Sequence, residues 1–292
     1  MAGQVVTVMN MKGGVGKTTV SLQVASVAAC ALFPNQGPKK VLLIDYDPQF
    51  NLSQALLPSK QYFELEKAKK TILSVLVEDD LALDPYHLQV PGNENPPKLN
   101  DVKVEIIKFK NGSRLDLVPS TLDLMYVALG HANSSTKPME VRFEKFINEC
   151  KKEYDLIVID CHPAGSVFTK TSLRNSDHVL IPVALQRYAI RGIGLMMTFI
   201  ESKKQGTKGP IPHILFNLAG RSGVEKAEVE IRANKNYESF CLKHTLKRYS
   251  AFNELDGGKG FLWENKKAYS TEAWKNASQV TSEFLKRIGV IQ

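Results

Sequence analysis

The chain has 292 residues, 43% of them hydrophobic, which is ordinary for a globular protein and fits one large α/β domain or two small ones. No stretch approaches about 18 uninterrupted apolar residues, so we expect no membrane-spanning helix, and the start of the chain does not resemble a signal peptide. The four cysteines have no C-x-x-C spacing, which disfavours a metal or disulfide framework and favours reduced cytosolic thiols.

Basic residues concentrate toward the end of the chain. The net charge is +8, and residues 201–292 hold 16 Lys and Arg against 10 Asp and Glu, whereas the first 200 residues hold 22 against 20. This imbalance favours a polyanionic partner, with DNA the leading candidate. A lysine-rich, solvated surface is the alternative.

The first predicted element is a buried strand over residues 5–9, followed by a phosphate-binding loop at residues 10–19. In the pattern G-x-x-x-x-G-K-[ST], backbone N–H groups wrap a polyphosphate, the lysine reaches the β- and γ-phosphates, and the hydroxyl holds Mg²⁺. Gly16–Thr18 fill the last three places, but Met11 stands where the first glycine belongs and a second lysine, Lys12, follows it. A nucleoside triphosphate with Mg²⁺ is implied. A glycine-rich turn without a ligand is the alternative.

Apolar, strand-like runs alternate with helical patterns along the rest of the chain. Polar residues close most of these runs, which is typical of a parallel sheet whose ligands collect at the carboxyl ends of its strands. The sequence therefore predicts an α/β fold, a doubly wound and mostly parallel sheet with helices on both faces, in one domain over residues 1–292. A Pro- and Gly-rich stretch at 91–97 is interpreted as a surface loop. The predicted strands are 5–9, 41–44, 115–118, 156–159, 179–183 and 214–216, and the predicted helices are 20–33, 50–57, 121–130, 139–152, 192–204, 225–235 and 271–288.

Three aspartates close two of these strands. Asp160 follows four aliphatic residues and is placed to brace Mg²⁺ through a coordinated water. Asp45 and Asp47 stand at positions i and i+2, so on an extended backbone they face the same way. One of them can support the metal or the loop while the other directs a water at the γ-phosphate. An ordinary Asp-x-Asp-Pro turn is the alternative.

Lys12 needs its own explanation, because Lys17 already fills the lysine position of the loop. Phosphoryl transfer develops negative charge that an inserted cation stabilises. A lysine just ahead of the loop can reach the nucleotide of a second subunit across a two-fold axis. A solvated lysine is the alternative.

These motifs together resemble the ParA/MinD family of deviant Walker ATPases, and within it the ParA partition branch. The resemblance extends over nearly the whole chain, and its first motif is highly specific. The matching segments are 12–19, 41–51, 154–161, 115–120, 181–183 with 191–192, and the turn at 250–263 with its closing helix.

The resemblance implies a P-loop ATPase that forms a homodimer around two ATP molecules with Mg²⁺. Lys12 would contact the partner's phosphates and Asp47 would orient the attacking water. Lys12, Lys17 and Asp47 are thus the predicted catalytic residues. The predicted nucleotide-binding residues are Lys12, Gly13, Gly14, Val15, Gly16, Lys17, Thr18, Thr19 and, by its place after a late strand, Asn217; the predicted metal-site residues are Thr18, Asp45 and Asp160.

ParA-like proteins bind DNA non-specifically as ATP dimers, and a ParB-like or other cargo-bound adaptor stimulates their hydrolysis. The resemblance therefore implies a cytoplasmic, nucleoid-associated protein of a bacterial or archaeal cell, without stable membrane insertion. The cargo could be a plasmid, a chromosome or a protein assembly. The predicted DNA-binding residues are Arg221, Lys243, Lys247, Arg248, Lys266 and Lys267.

Two other functions stay open at this stage. A MinD-like, membrane-associated ATPase would need an amphipathic basic tail, and residues 284–292 carry only two cations. An iron–sulfur reductase or an amide-forming enzyme could share the fold. The chain also departs from the family pattern: His162 precedes Pro163, where it could modulate the switch or simply pack, and residues 84–112 form a long connection that could carry partner specificity. No helix-turn-helix extension is recognised, so operator binding is not expected.

Overall fold

The computed structural model describes residues 2–30, 37, 39–78, 91–129, 136–162, 167–186, 189–202 and 209–292. Seven strands in these parts of the chain form one sheet. They are β1 (Gln4–Val8), β2 (Lys40–Tyr46), β3 (Val104–Lys108), β4 (Arg114–Val118), β5 (Leu156–Cys161), β6 (His178–Ala184) and β7 (Ile211–Asn217). Across the sheet they follow the order β3-β4-β2-β5-β1-β6-β7, and within the described residues only β3 and β4 pair antiparallel.

Helices cover both faces of this sheet. One face packs against α4 to α10, and the other packs against α1, α2, α3 and α11. In the described residues the helices are α1 (Lys17–Cys30), α2 (Asn51–Leu56), α3 (Ser59–Lys67), α4 (Ile72–Leu76), α5 (Leu99–Val102), α6 (Leu124–Leu129), α7 (Lys137–Glu153), α8 (Val167–Asn175), α9 (Ala189–Ser202), α10 (Lys226–Arg232) and α11 (Ser270–Arg287).

The alternation of side chains along each strand builds the two cores. In β5, Ile157 and Ile159 point into one core, while Leu156 and Val158 point into the other. Because both faces are covered, the strand reads as an unbroken aliphatic run rather than as alternating apolar and polar residues. The predicted doubly wound, mostly parallel sheet is confirmed.

Several elements were missed or misplaced by the sequence reasoning. Helix α1 begins at Lys17, three residues before the predicted start, because its apolar residues begin only at Val20. Strand β3 was not predicted, since a register irregularity between Glu105 and Ile107 breaks its alternation. The long connection at 84–112 contains α5 and β3 after residue 91, and residues 84–90 lie outside the described residues. Helices α3, α4 and α8 were also missed.

The buried guanidinium of Arg142 anchors the predicted loop at 91–97. Its Nε donates to Val75 O at 2.9 Å, and its Nη2 donates to Ser74 O at 2.9 Å. Its Nη1 reaches across to Asn95 O at 2.7 Å. The side chain therefore satisfies carbonyls at the end of α4 and ties the loop to α7.

The last residues pack into the core. Ile288 and Ile291 are each 5% exposed, and Phe284 and Leu285 are fully buried. The apolar side chains on which a membrane-surface tail would depend are therefore inside the protein. Among the described residues, no helix combines the length and the apolar character that crossing a bilayer requires.

Candidate nucleotide-binding site

The predicted site residues meet at one edge of the sheet. Strand β5 lies between β1 and β2, and the register pairs Asp160 with Val8 on one side and with Asp45 on the other. Parallel strands end at the same edge, so the loop after β1 and the aspartates that close β2 and β5 are brought together. The sequence prediction of a shared edge is confirmed by this register.

The loop after β1 adopts a conformation that depends on glycine. Gly14 and Gly16 have φ values of +72° and +81°, in the left-handed region. A Cβ on Gly16 would lie 2.5 Å from Asn217 Nδ2, so this position has no room for a side chain. The N-terminus of α1 follows at Lys17, which aims free N–H groups and the positive end of the helix dipole at the loop.

Asn217, at the end of β7, supports the backbone of the phosphate-binding loop. Its side chain is 2% exposed, and its Nδ2 donates to Val15 O at 2.8 Å. The residue was predicted to contact a nucleotide base, and the structure places it against the loop backbone at the end of β7. Its contact with a base stays a prediction.

Asp160 lies beneath the start of α1. Ser21 Oγ donates to Asp160 Oδ1 at 3.0 Å, and the Thr18 hydroxyl also bonds this carboxylate. Burial raises its pKa to about 6, against the lowering effect of these two hydroxyls. The carboxyl therefore titrates closer to neutral pH than an exposed aspartate does.

Thr18 and Asp160 suit a metal that arrives with its nucleotide. No set of three or more His, Cys, Asp or Glu side chains in the described ranges is arranged to hold a metal by itself. Mg²⁺ commonly keeps several waters and binds one or two carboxylates together with substrate phosphates. The hydroxyl and carboxylate present here fit that mode of binding.

Asp45 is fully buried and holds the start of α2. Its Oδ2 accepts hydrogen bonds from Ser53 N at 2.8 Å and from Ser53 Oγ at 2.7 Å. Burial, reinforced by the neighbouring Asp160, raises its pKa to about 8. Asp45 therefore holds the start of α2, and its Oδ1 also accepts a long bond from Asp47 N at 3.4 Å. Its predicted support of the metal site stays a prediction.

Asp47 is held in its own turn. Its Oδ1 accepts a hydrogen bond from Gln49 N at 2.9 Å, and its carbonyl accepts one from Ser120 Oγ at 2.7 Å. Phe50 follows with φ of +43°, an unusual value for a bulky residue. The role of Asp47 in orienting a water toward a phosphate stays a prediction.

Lys12 lies on the exposed rim of the loop. Its ammonium donates to Gln186 Oε1 at 2.6 Å, just past the end of β6. Lys17, in contrast, is partly buried at the first turn of α1. The two lysines therefore occupy different environments.

Two of the six predicted DNA-binding residues, Arg221 and Arg248, line one cavity of about 510 Å³. Arg221 stacks 4.3 Å from the ring centroid of Tyr269, and Lys247 Nζ donates to Arg221 O at 2.9 Å. We call this surface the basic cleft. Arg221 and Arg248 line it, Lys247 adjoins it through its bond to the Arg221 carbonyl, and Lys266 and Lys267 precede its lining residue Ala268 in the chain.

The structure separates these candidates. Lys267 is paired with Glu254, which reduces its free charge. Lys243 lies outside the basic cleft. Its backbone N–H donates to Glu283 on α11, whereas the backbone N–H of Lys247 donates to Asn276 on the same helix. Asn276 and Glu283 are about two helical turns apart, so the two lysines lie beside different parts of α11. Their role in DNA binding stays a prediction.

Sequence reasoning missed the residues that hold the site in shape. Ser21 could have been found, because it lies one turn after Lys17 on a helix that begins at that lysine. No sequence pattern marks Ser53 or Gln186, because each binds a residue on a different element of the fold. Ser53 binds Asp45, and Gln186 binds Lys12. Tyr269 has φ of +63° and supports Arg221, and no sequence pattern marks either property.

Comparison with known proteins places this site in a family. A family model described as an AAA domain matches residues 3–211. An uncharacterised protein of Methanocaldococcus jannaschii is 32% identical over 206 residues, which are 70% of this chain and 68% of that protein. The sporulation initiation inhibitor protein Soj of Bacillus subtilis is 30% identical over 201 residues, 68% of this chain and 65% of Soj.

Solved structures share the fold over almost the full chain. A plasmid partition protein of Borrelia burgdorferi bound to AMPPNP covers 98% of this chain and 100% of its own, at 20% identity and a TM-score of 0.67. The ParA protein of pNOB8 bound to nonspecific DNA covers 99% and 100%, at 19% identity and a TM-score of 0.65. Cobyrinic acid a,c-diamide synthase of Mycobacterium smegmatis with ADP and magnesium covers 98% and 95%, at 20% identity and a TM-score of 0.67. At these identities the likeness establishes the fold and does not separate partition from amide-forming chemistry.

The family match covers more than half of the chain, so it establishes the family, which the solved structures alone do not. The matched region contains the loop, the strand-terminal aspartates and Lys12. The recognition made from the sequence motifs is therefore confirmed. The chain belongs to this AAA-domain family, and its relatives include proteins named as Soj and ParA partitioning proteins.

Proposed function

We propose that this chain is an ATP-dependent partition ATPase that dimerises around ATP, binds DNA non-specifically in that state and hydrolyses ATP when a cargo-bound partner stimulates it. The observation that carries the proposal is the pair of lysines. Lys17 stands in the loop at the start of α1, while Lys12 projects from the exposed rim, where it can serve a nucleotide other than its own. Curated relatives that carry partitioning names support the assignment.

The loop and α1 bind the triphosphate. Backbone N–H groups of residues 13–19 wrap the phosphates, and Lys17 pairs with the β- and γ-phosphates. Mg²⁺ when bound neutralises phosphate charge, and Thr18 and Asp160 are the residues that would hold it. Asn217 fixes the position of the loop backbone by donating a hydrogen bond to Val15 O.

Hydrolysis transfers the γ-phosphoryl group to water and yields ADP and phosphate. In the proposed reaction Asp47, whose Oδ1 is held by the Gln49 amide, orients the attacking water. Lys12 of one subunit stabilises the negative charge that develops on the nucleotide of its partner. Asp45 fixes the segment that carries Asp47 by holding Ser53.

The basic cleft is the proposed DNA surface. The exposed Arg221 and Arg248 line the basic cleft and the half-buried Lys247 binds Arg221 O, an arrangement that suits contacts to successive phosphates rather than to base edges. The pNOB8 ParA structure contains nonspecific DNA, which supports the same class of ligand here. We therefore propose that the ATP-bound dimer associates with nucleoid DNA.

The activating partner is proposed to be a ParB-like or other adaptor attached to the cargo. Relatives named as chromosome-partitioning proteins favour a chromosome or plasmid, and a protein assembly would use the same residues. A pull-down with an ATP-trapped variant identifies the partner directly.

Light scattering of purified variants with ATP and with ADP tests the proposal. The mass of the wild-type protein is expected to double with ATP and not with ADP. Lys12→Ala and Lys17→Ala are expected to stay monomeric with ATP. Asp47→Ala is expected to remain dimeric, because hydrolysis stops. Lys60→Ala, an exposed change on α3, is the control and should behave as wild type. Mass that does not respond to ATP, or a Lys12→Ala chain that still dimerises, would reject the mechanism.

A further inference from the structure

The side chain of Lys12 is held by its own subunit. Its ammonium donates to Gln186 Oε1 at an Nζ–Oε1 distance of 2.6 Å, and both side chains are exposed. Gln186 lies two residues after the end of β6 and 174 positions along the chain from Lys12. The contact therefore joins the phosphate-binding loop to the end of a neighbouring strand.

The backbone on both sides of this contact is fixed. The buried Asn10 donates from Nδ2 to a β6 carbonyl at 2.8 Å, and its Oδ1 accepts a hydrogen bond from Lys12 N at 3.0 Å. Gln186 N donates to Ala184 O at 2.8 Å, and Gln186 O accepts a bond from Ala189 N at the start of α9 at 3.0 Å. Both side chains therefore start from anchored backbone, which holds the amide oxygen within reach of the lysine.

A glutamine oxygen holds an ammonium group without cancelling its charge. An exposed hydrogen bond of this kind shifts an equilibrium only a few-fold, so it positions the lysine and still breaks easily. The oxygens of a triphosphate are charged acceptors and bind an ammonium more strongly. The amide can therefore give up Lys12 when phosphates come within reach.

We propose that Gln186 is a positioning residue that keeps Lys12 against its own subunit and releases it when the ATP dimer forms. This inference rests on the proposed function, in which Lys12 crosses to the nucleotide of the partner subunit. The contact must break before Lys12 crosses, so its strength shifts the ATP concentration at which dimers assemble. After the crossing Gln186 no longer touches Lys12, so hydrolysis within the assembled dimer is independent of it.

Chemical labelling tests the contact without any reference to dimers. The nucleotide-free protein is treated with an amine-acetylating reagent, and the labelling rate of Lys12 is followed by mass spectrometry. Gln186→Ala should raise this rate about 2- to 5-fold, and Gln186→Glu should lower it by a similar factor that shrinks with added salt. Gln54→Glu, the same charge change on an exposed residue of α2, should leave it unchanged.

Dimerisation tests the consequence of the contact. By light scattering, Gln186→Ala should dimerise at roughly 2- to 5-fold lower ATP than wild type and Gln186→Glu at correspondingly higher ATP. The turnover number at saturating ATP should match wild type in both, a split that a general structural defect would not produce. An unchanged labelling rate overturns the proposal, as does altered labelling with an unchanged ATP midpoint. If Lys12→Ala dimerises normally with ATP, the proposed function itself fails and the release step fails with it, whereas the labelling result still reports the contact.

Discussion

Replacing Asp45 by asparagine should stabilise the nucleotide-free protein above neutral pH. Asp45 is fully buried, and burial together with Asp160 raises its pKa to about 8. In the unfolded chain the same carboxyl titrates near its ordinary value of 3.8. Between these two values the folded state binds one proton more than the unfolded state, so the free energy of unfolding falls as pH rises toward 8.

The size of this effect follows from the pKa. One proton contributes about 1.4 kcal/mol per pH unit, and the slope levels off near the folded pKa, so wild type should lose roughly 2 kcal/mol between about pH 6 and pH 8 through this residue. Asparagine does not ionise, and its Oδ1 can still accept both bonds from Ser53, while its Nδ2 replaces the oxygen that accepts only the long 3.4 Å bond from Asp47 N. The variant should therefore lack this part of the pH dependence.

Urea unfolding of nucleotide-free, Mg²⁺-free protein at the two pH values measures the difference. Asp45→Asn should be more stable than wild type at about pH 8, with the gap narrowing at about pH 6. Asp256→Asn, an exposed change in a turn, serves as the control and should follow wild type at both values. A variant that is less stable than wild type at the higher pH, or that keeps the full slope, would refute the assignment of a buried, protonated carboxyl.

Three further predictions concern the turns and cations outside the loop. Gly258→Ala should cost roughly 2 kcal/mol more unfolding free energy than Gly223→Ala, because both have φ near +76° but only the Gly258 Cβ would meet a backbone oxygen, at 2.8 Å; equal costs in urea unfolding would contradict this. Arg142→Met should cost about 3 kcal/mol in the same assay, since it leaves buried carbonyls unsatisfied, and a loss below about 0.5 kcal/mol would show that water replaces the guanidinium. In fluorescence anisotropy with ATP, Arg248→Ala should weaken DNA binding and lower the salt slope by about 1, while Lys243→Ala should change little; the reverse order would move the DNA surface away from the basic cleft.

The parts of the fold and site that could be predicted are those whose signal is local. The loop at 10–19 is recognisable because glycine, lysine and hydroxyl must follow one another to wrap a phosphate. Asp45 and Asp160 could be placed together because each ends an aliphatic run, and the parallel register then sets them side by side. Both cores follow from the same unbroken apolar strands.

The remainder depends on contacts between distant residues. Gln186 meets Lys12 only because β6 lies beside β1, and Asn217 braces Val15 only because β7 ends beside the loop. Strand β3 stayed hidden because its irregular register removes the alternation that marks an edge strand. The net charge of residues 201–292 indicated a polyanion, but only the fold separates Lys243 from the basic cleft.

A crystal structure of Asp47→Ala with ATP and Mg²⁺ tests the central claim most directly. The account predicts a two-fold dimer in which Lys12 Nζ has left Gln186 and lies within hydrogen-bonding distance of the phosphates bound by the other subunit. A nucleotide-bound monomer whose Lys12 remains on Gln186 would contradict it.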